Sequence, residues 1–137
     1  MTFVSGIGAI DTMIGCFARC PTPMGQLLLE HVHGAAARIG VGDTAFPHRT
    51  EGYNFLVLSQ WMDTVDTDAC IAWARETYAE MQPFVASGRY VNYLDDDEAG
   101  DSVPTAYGAN YRRLQELKMK YDPENFFRMN QNIRPLA

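Results

Sequence analysis

The sequence predicts an α+β fold in which antiparallel strands of one sheet carry helices packed on one face. The first half holds two short apolar runs bounded by turn residues, and the second half holds two runs with helical periodicity. The third observation is composition: 137 residues, 47% hydrophobic and 20% charged, are what an ordinary folded domain contains.

Gln26 to Val32 (QLLLEHV) is the first strand candidate, entered through the breaker Pro21-Thr22-Pro23 and closed by Gly34. Tyr53 to Trp61 (YNFLVLSQW) is the second, dense in aromatic and aliphatic residues and too short for a typical helix. A glycine-spaced turn, Gly40-Val41-Gly42, and the segment Ala45-Phe46-Pro47-His48-Arg49 lie between them. Ahead of both, Met1 to Cys20 is mildly apolar, but it lacks a basic leader and Asp11 interrupts it, so it does not read as a signal peptide. A cytoplasmic location is the expectation. Cys16 and Cys20 stand i,i+4 in a segment that could be helical, and with Cys70 they make an odd number without C-x-x-C, which reads as reduced, packed thiols.

Helix signals begin at Asp66-Thr67-Asp68, any of which can cap a first turn. Ile71, Ala74, Tyr78 and Met81 then trace one apolar face, and Pro83 marks the stop. Tyr107 to Tyr121 predicts a second helix, with Leu114, Leu117 and Tyr121 on a common stripe, ended at Asp122-Pro123.

Eleven basic against seventeen acidic residues give a net charge of −6, which repels nucleic acid and anionic membranes, and no apolar run is long enough to span a bilayer. The run Asp95-Asp96-Asp97-Glu98 with Gly100 suggests a calcium loop. However, with Gly100 at the sixth loop position the fifth and twelfth are Ala99 and Ala106, which leaves a solvated loop. His31 and His33 share a strand face and Glu30 takes the other, so two zinc ligands are placed where a catalytic site needs three. No metal site is expected.

The informative set is Tyr90-Val91-Asn92-Tyr93-Leu94-Asp95, Tyr107-Gly108-Ala109-Asn110-Tyr111, Arg113-Leu114, Lys118, Tyr121-Asp122-Pro123, Asn125-Phe126-Phe127 and Asn130-Gln131-Asn132-Ile133-Arg134-Pro135. This ordered set resembles the C-terminal signature of the berberine bridge enzyme family of FAD-linked oxidases. Gly34-Ala35, Thr44 to Arg49 and Tyr53 to Trp61 resemble the last strands of that family's substrate domain. The resemblance covers roughly residues 25 to 137. It implies that residues 1–64 come from the substrate-binding domain and that 65–137 form a helical part with the berberine-bridge-like C-terminal segment. On this reading the chain is a fragment, a truncated gene product or one part of a split enzyme, without the family's flavin-binding domain.

Such oxidases oxidise an alcohol, sugar or secondary metabolite by hydride transfer to the flavin. The resemblance makes Tyr93 the catalytic base and places Glu30, Asn54 and Tyr90 on the substrate side. Asn54 stands where plant members carry a glutamate, and an amide cannot accept a proton at neutral pH. Asn92, Asn130 and Gln131 become candidates for contact with FAD, which would be held only with the missing N-terminal domain or a partner chain. In an extended segment the rings of Tyr90 and Tyr93 would point to opposite faces, with Asn92 on the face of Tyr90. Partners are a small-molecule substrate and either a flavin-domain chain or a second copy, because strands taken from a larger sheet expose edges. The alternative is a non-catalytic remnant or an interaction module that pairs with a separate flavin-domain chain.

Overall fold

The computed structural model describes residues 3–4, 6–86, 88, 90–94, 102–129 and 131–136. The elements are β1 (Phe3–Val4), α1 (Ile7–Ala18), β2 (Gln26–Val32), α2 (Ala35–Arg38), β3 (Gly52–Leu58), α3 (Thr67–Met81), α4 (Ser102–Tyr107) and α5 (Tyr111–Tyr121). Short 3₁₀ turns stand at Thr64–Asp66, Gln82–Phe84, Val91–Tyr93 and Gly108–Asn110. The chain forms two compact units, each drawn from separate stretches: Thr2–Val32 with Gly52–Ser87, and His33–Glu51 with Gly88–Ala137. Among the described residues no helix is long and apolar enough to cross a membrane.

The first unit is a three-stranded antiparallel sheet in the order β1-β3-β2, with β2 and β3 in register from Gln26↔Leu58 to Val32↔Gly52. Because side chains alternate across a sheet, Leu27, Phe55 and Val57 share one face. That face packs with Ala9 and Met13 of α1 and Met81 of α3 into the unit's core. The helices are locked to each other by the Trp73 indole, which donates to the Cys16 carbonyl at 2.8 Å, and by an ion pair between Arg19 and Glu80. Gly25 leads into β2 where a Cβ would lie 2.3 Å from Cys20 Sγ and 3.3 Å from the Trp73 ring, so no larger residue fits without rearrangement.

The strand expectations hold, β2 with the same limits as its sequence run. The helices differ in detail. α1 occupies a segment read mainly as apolar, and its outer stripe of Ile7, Ile10, Ile14 and Phe17 is exposed. α3 begins where expected, but its buried face is Cys70, Trp73, Thr77 and Met81; of the expected face only Met81 is buried, and Ile71 is exposed. Asp66 makes no side-chain cap; Asp63 does that work one turn earlier, accepting from the Val65 amide at 3.0 Å, while Thr67 Oγ1 accepts from the Trp61 indole at 2.9 Å.

The second unit gathers Leu94, Val103 and Ala106 into a small core, flanked by Val91, Tyr107, Tyr111 and Ile133. The single helix expected over Tyr107 to Tyr121 is broken by Gly108, whose φ of +52° lies in the left-handed region, so α5 starts only at Tyr111. The stripe through Leu117 and Tyr121 is exposed. The acidic run at 95–98 lies outside the described residues.

Candidate functional site

The second unit builds its candidate site around Tyr90 and Tyr93. The Tyr93 amide donates to the Tyr90 carbonyl at 2.9 Å, closing the 3₁₀ turn Val91–Tyr93. Residues three apart nearly eclipse in such a turn, so the two rings fall on the same side and meet edge to face at 5.0 Å and 83°. This corrects the extended geometry expected from the sequence, which separated them. Asn92 Nδ2 donates to the Tyr90 hydroxyl at 2.9 Å, and the Phe46 ring stands edge-on to Tyr90 at 5.5 Å. Tyr90 is thereby held on two sides, while Tyr93 leaves 48% of its surface open.

Phe46 is itself fixed. The Arg49 guanidinium lies 4.8 Å from its ring centroid and donates to the Ala36 carbonyl at 2.9 Å and to Thr44 Oγ1. The buried Asn110 side chain donates to the Val41 and Thr44 carbonyls at 2.7 and 3.1 Å, pinning the turn that delivers Phe46. Sequence reasoning assigned no site role to Phe46, Arg49 or Asn110. Their signal was an amide just before a helix and a Phe-Pro-His-Arg segment between two turns. Tyr107 packs nearby: burial, and secondarily the charge Tyr90 would carry, push its phenol above the usual tyrosine value.

Of the other candidates in this unit, Gln131 Nε2 donates to the Leu94 carbonyl at 3.1 Å, supporting the strand of chain after Tyr93. Asn130 lies outside the described residues. Asn92 is exposed and lies in the same turn as Tyr93, its amide nitrogen bonded to the Tyr90 hydroxyl.

In the first unit the structure brings Glu30 and Asn54 together. They are directly opposed on β2 and β3, and Asn54 Nδ2 donates to Glu30 Oε2 at 2.7 Å. Asn54 is only 2% exposed, whereas Glu30 is open to solvent, so a buried amide orients a carboxylate at the surface. On the other face His31 stacks on Tyr53 with centroids 4.5 Å apart and planes at 17°. Among the described residues no group of His, Cys, Asp and Glu could hold a metal ion.

Residues 89–134 match the family model of berberine and berberine-like proteins. The chain is 38% identical over 102 residues to the uncharacterized FAD-linked oxidoreductase YvdP of Bacillus subtilis, covering 74% of this chain and 22% of that protein. It is 37% identical over 114 residues to the monolignol oxidoreductase AtBBE-like 13 of Arabidopsis thaliana, covering 73% and 21%. The fold superposes on berberine bridge enzyme from Eschscholzia californica with a TM-score of 0.76 and 25% identity, over 93% of this chain and 30% of that one. The chain thus spans about a quarter of the length of the curated relatives it matches.

Proposed function

The chain corresponds to the C-terminal portion of the berberine bridge enzyme-like FAD-linked oxidoreductases, and on that premise we propose that it supplies the proton-accepting side of a flavin-dependent oxidation of an alcohol, sugar or secondary metabolite. The observation that carries this reading is the tyrosine turn. It fixes Tyr90 from two directions and sets the Tyr93 ring against it with 48% of its surface exposed, where a substrate can reach it. The monolignol relative, an oxidoreductase by name, supports an alcohol as the substrate class.

The donor set fits one edge of a flavin ring and not a whole FAD. Asn92 and Tyr93 offer an amide and a phenol from one turn, whereas among the described residues no glycine-rich loop opens a helix to take a pyrophosphate. When bound, the flavin supplies the two-electron acceptor for the substrate's hydride.

Tyr93 takes the proton of the substrate hydroxyl as the carbon loses its hydride and the C–O bond becomes C=O. Tyr90 limits the rotation of the Tyr93 ring, and Asn92 holds Tyr90.

The test is a chimera in which this chain replaces the matching portion of YvdP. Covalent linkage makes assembly independent of affinity. Anaerobic bleaching of its flavin by a primary allylic or benzylic alcohol supports the reading. A chimera that retains flavin but is bleached by no alcohol, sugar or phenolic metabolite overturns it.

A further inference from the structure

In the sheet unit β2 is an edge strand: among the described residues it pairs with β3 on one side and with no strand on the other. It runs one to one against β3 from Gln26 to Val32 without a bulge, and it carries neither proline nor lysine, two residues that commonly blunt an edge. The helix beside it is equally uncovered. α1 packs over β2 and α3 over β3, so α1 is the helix nearer the open side. At ~100° per residue, Ile7, Ile10, Ile14 and Phe17 form one stripe, about 120° round the helix from the buried Ala9 and Cys16 and opposite Arg19, which reaches Glu80 of α3. The stripe therefore faces away from α3 toward the open edge, with Ile7 83% and Ile14 64% exposed. Leu29 shares the helix-covered face of the sheet with Leu27 and Phe55, and it is 46% exposed.

We propose that this surface is a homodimer interface, in which two copies of the chain pair their β2 edges antiparallel about a two-fold axis through Leu29 and bring their α1 stripes together. The strand is its own complement. With Leu29 opposite Leu29, Leu28 meets Glu30, Leu27 meets His31 and Gln26 meets Val32, so the whole seven-residue strand is paired. Each pair lies on one sheet face, which keeps both α1 helices on the same side. Moving the axis in either direction shortens the pairing, and moving it to Glu30 sets two carboxylates directly opposite, which is destabilising. The area is sufficient: the four stripe residues and Leu29, at roughly 100 Å² each, together with the backbone edge approach the ~800 Å² that each partner gives to a standard interface. The assembly also closes, because the far edge of each sheet is the two-residue β1, too short to template another β2.

Sedimentation equilibrium of the full chain tests the proposal. A monomer–dimer equilibrium is expected, with dimer dominant by about 50 µM and favoured by added salt, which screens the repulsion between two chains of net charge −6. Leu29→Lys and Leu29→Glu are each expected to weaken the dimer at least about tenfold with an unchanged far-ultraviolet spectrum, because each sets like charges face to face on the axis. An equal mixture of the two variants is expected to dimerise again, which misfolded variants would not do. Ile10→Lys/Ile14→Lys is expected to weaken association as well, and Tyr93→Phe to leave it unchanged, so the dimer stands or falls separately from the catalytic reading. Open-ended association, a dimer indifferent to both Leu29 variants, or a mixture that stays monomeric would overturn the proposal. So would a monomer at every concentration, and Leu29-dependent binding of that monomer to the remaining portion of YvdP would name the other occupant.

Discussion

The two units put their polar bonds to opposite uses. In the sheet unit Phe55, Trp73 and Met81 are all buried, and the helices that cover them are tied by indole-to-carbonyl and guanidinium-to-carboxylate contacts. In the second unit Asn110 pins the turn before Phe46, and the largely buried Lys118–Asp122 pair fixes the turn of Phe126 and Phe127, whose rings stay exposed, as does Tyr93. One region uses polar bonds to close a core, and the other uses them to display rings. The difference separates residues that hold the fold from residues available to meet something else.

That contrast predicts a wide gap in stability effects. Met81→Ala should cost about 2–5 kcal/mol by chemical denaturation because it opens a cavity at a fully buried position. Phe126→Ala should stay within about 0.5 kcal/mol, being a surface change. Equal losses would erase the distinction.

A smaller effect belongs to Gly25→Ala. Its new Cβ would meet Cys20 Sγ, at a cost of about 1–3 kcal/mol, and a second change, Cys20→Ala, should recover part of it. Strict additivity of the two in thermal unfolding would show that the close approach is not what excludes a side chain there.

Asn54→Asp sets a carboxylate against Glu30, so one of the pair must keep its proton and its folded pKa rises above the unfolded value. The stability of that variant is then present at low pH and lost as pH rises through the raised value. A deficit of about 1 kcal/mol is expected at pH 7, with a smaller one at pH 4. A deficit independent of pH would mean that the two side chains part.

Smallest is the acid response of the aromatic turn. Lys118 first, and then the Phe126 and Phe127 amides, hold the Asp122 carboxyl below the usual aspartate value of 3.8. A depressed folded pKa gives stabilisation that is complete above the unfolded value and disappears as pH falls through the folded one. The Phe126 and Phe127 amide resonances should therefore keep their positions down to about pH 4 and shift only below it. Movement at pH 5 to 6 would place the carboxyl outside the turn.

Much of the sheet unit was legible in the sequence because breakers and alternation bound its strands, and the pairing of Glu30 with Asn54 follows from neighbouring strands in register. α1 was legible only as a segment around Cys16 that could be helical, because its outer face carries isoleucines and Phe17 in place of polar residues, which removes the contrast that marks a helix, and Gly8 and Gly15 lower its propensity. The phase of α3 was displaced by one residue because Ile71 looks like core, whereas Cys70 and Trp73 take the interior. The tyrosine turn is three residues long, too short for any periodicity to reveal, so only the resemblance pointed to Tyr93 and nothing local placed Tyr90 against it. The display of Phe126 and Phe127 depends on a carboxylate bonding forward four and five residues, a turn that an Asp-Pro pair signals only as a helix stop.

The central claim is that Tyr93 is the open, positioned base of a flavin-dependent oxidation. Tyr93→Phe in the YvdP chimera removes one oxygen and keeps the ring packing. Rapid mixing under anaerobic conditions isolates flavin reduction from reoxidation by oxygen. The account predicts that Tyr93→Phe lowers the bleaching rate by ~10² to 10⁴ with flavin content unchanged, and that Tyr90→Phe lowers it far less. An unchanged bleaching rate in Tyr93→Phe, in a chimera that does oxidise substrate, would contradict it.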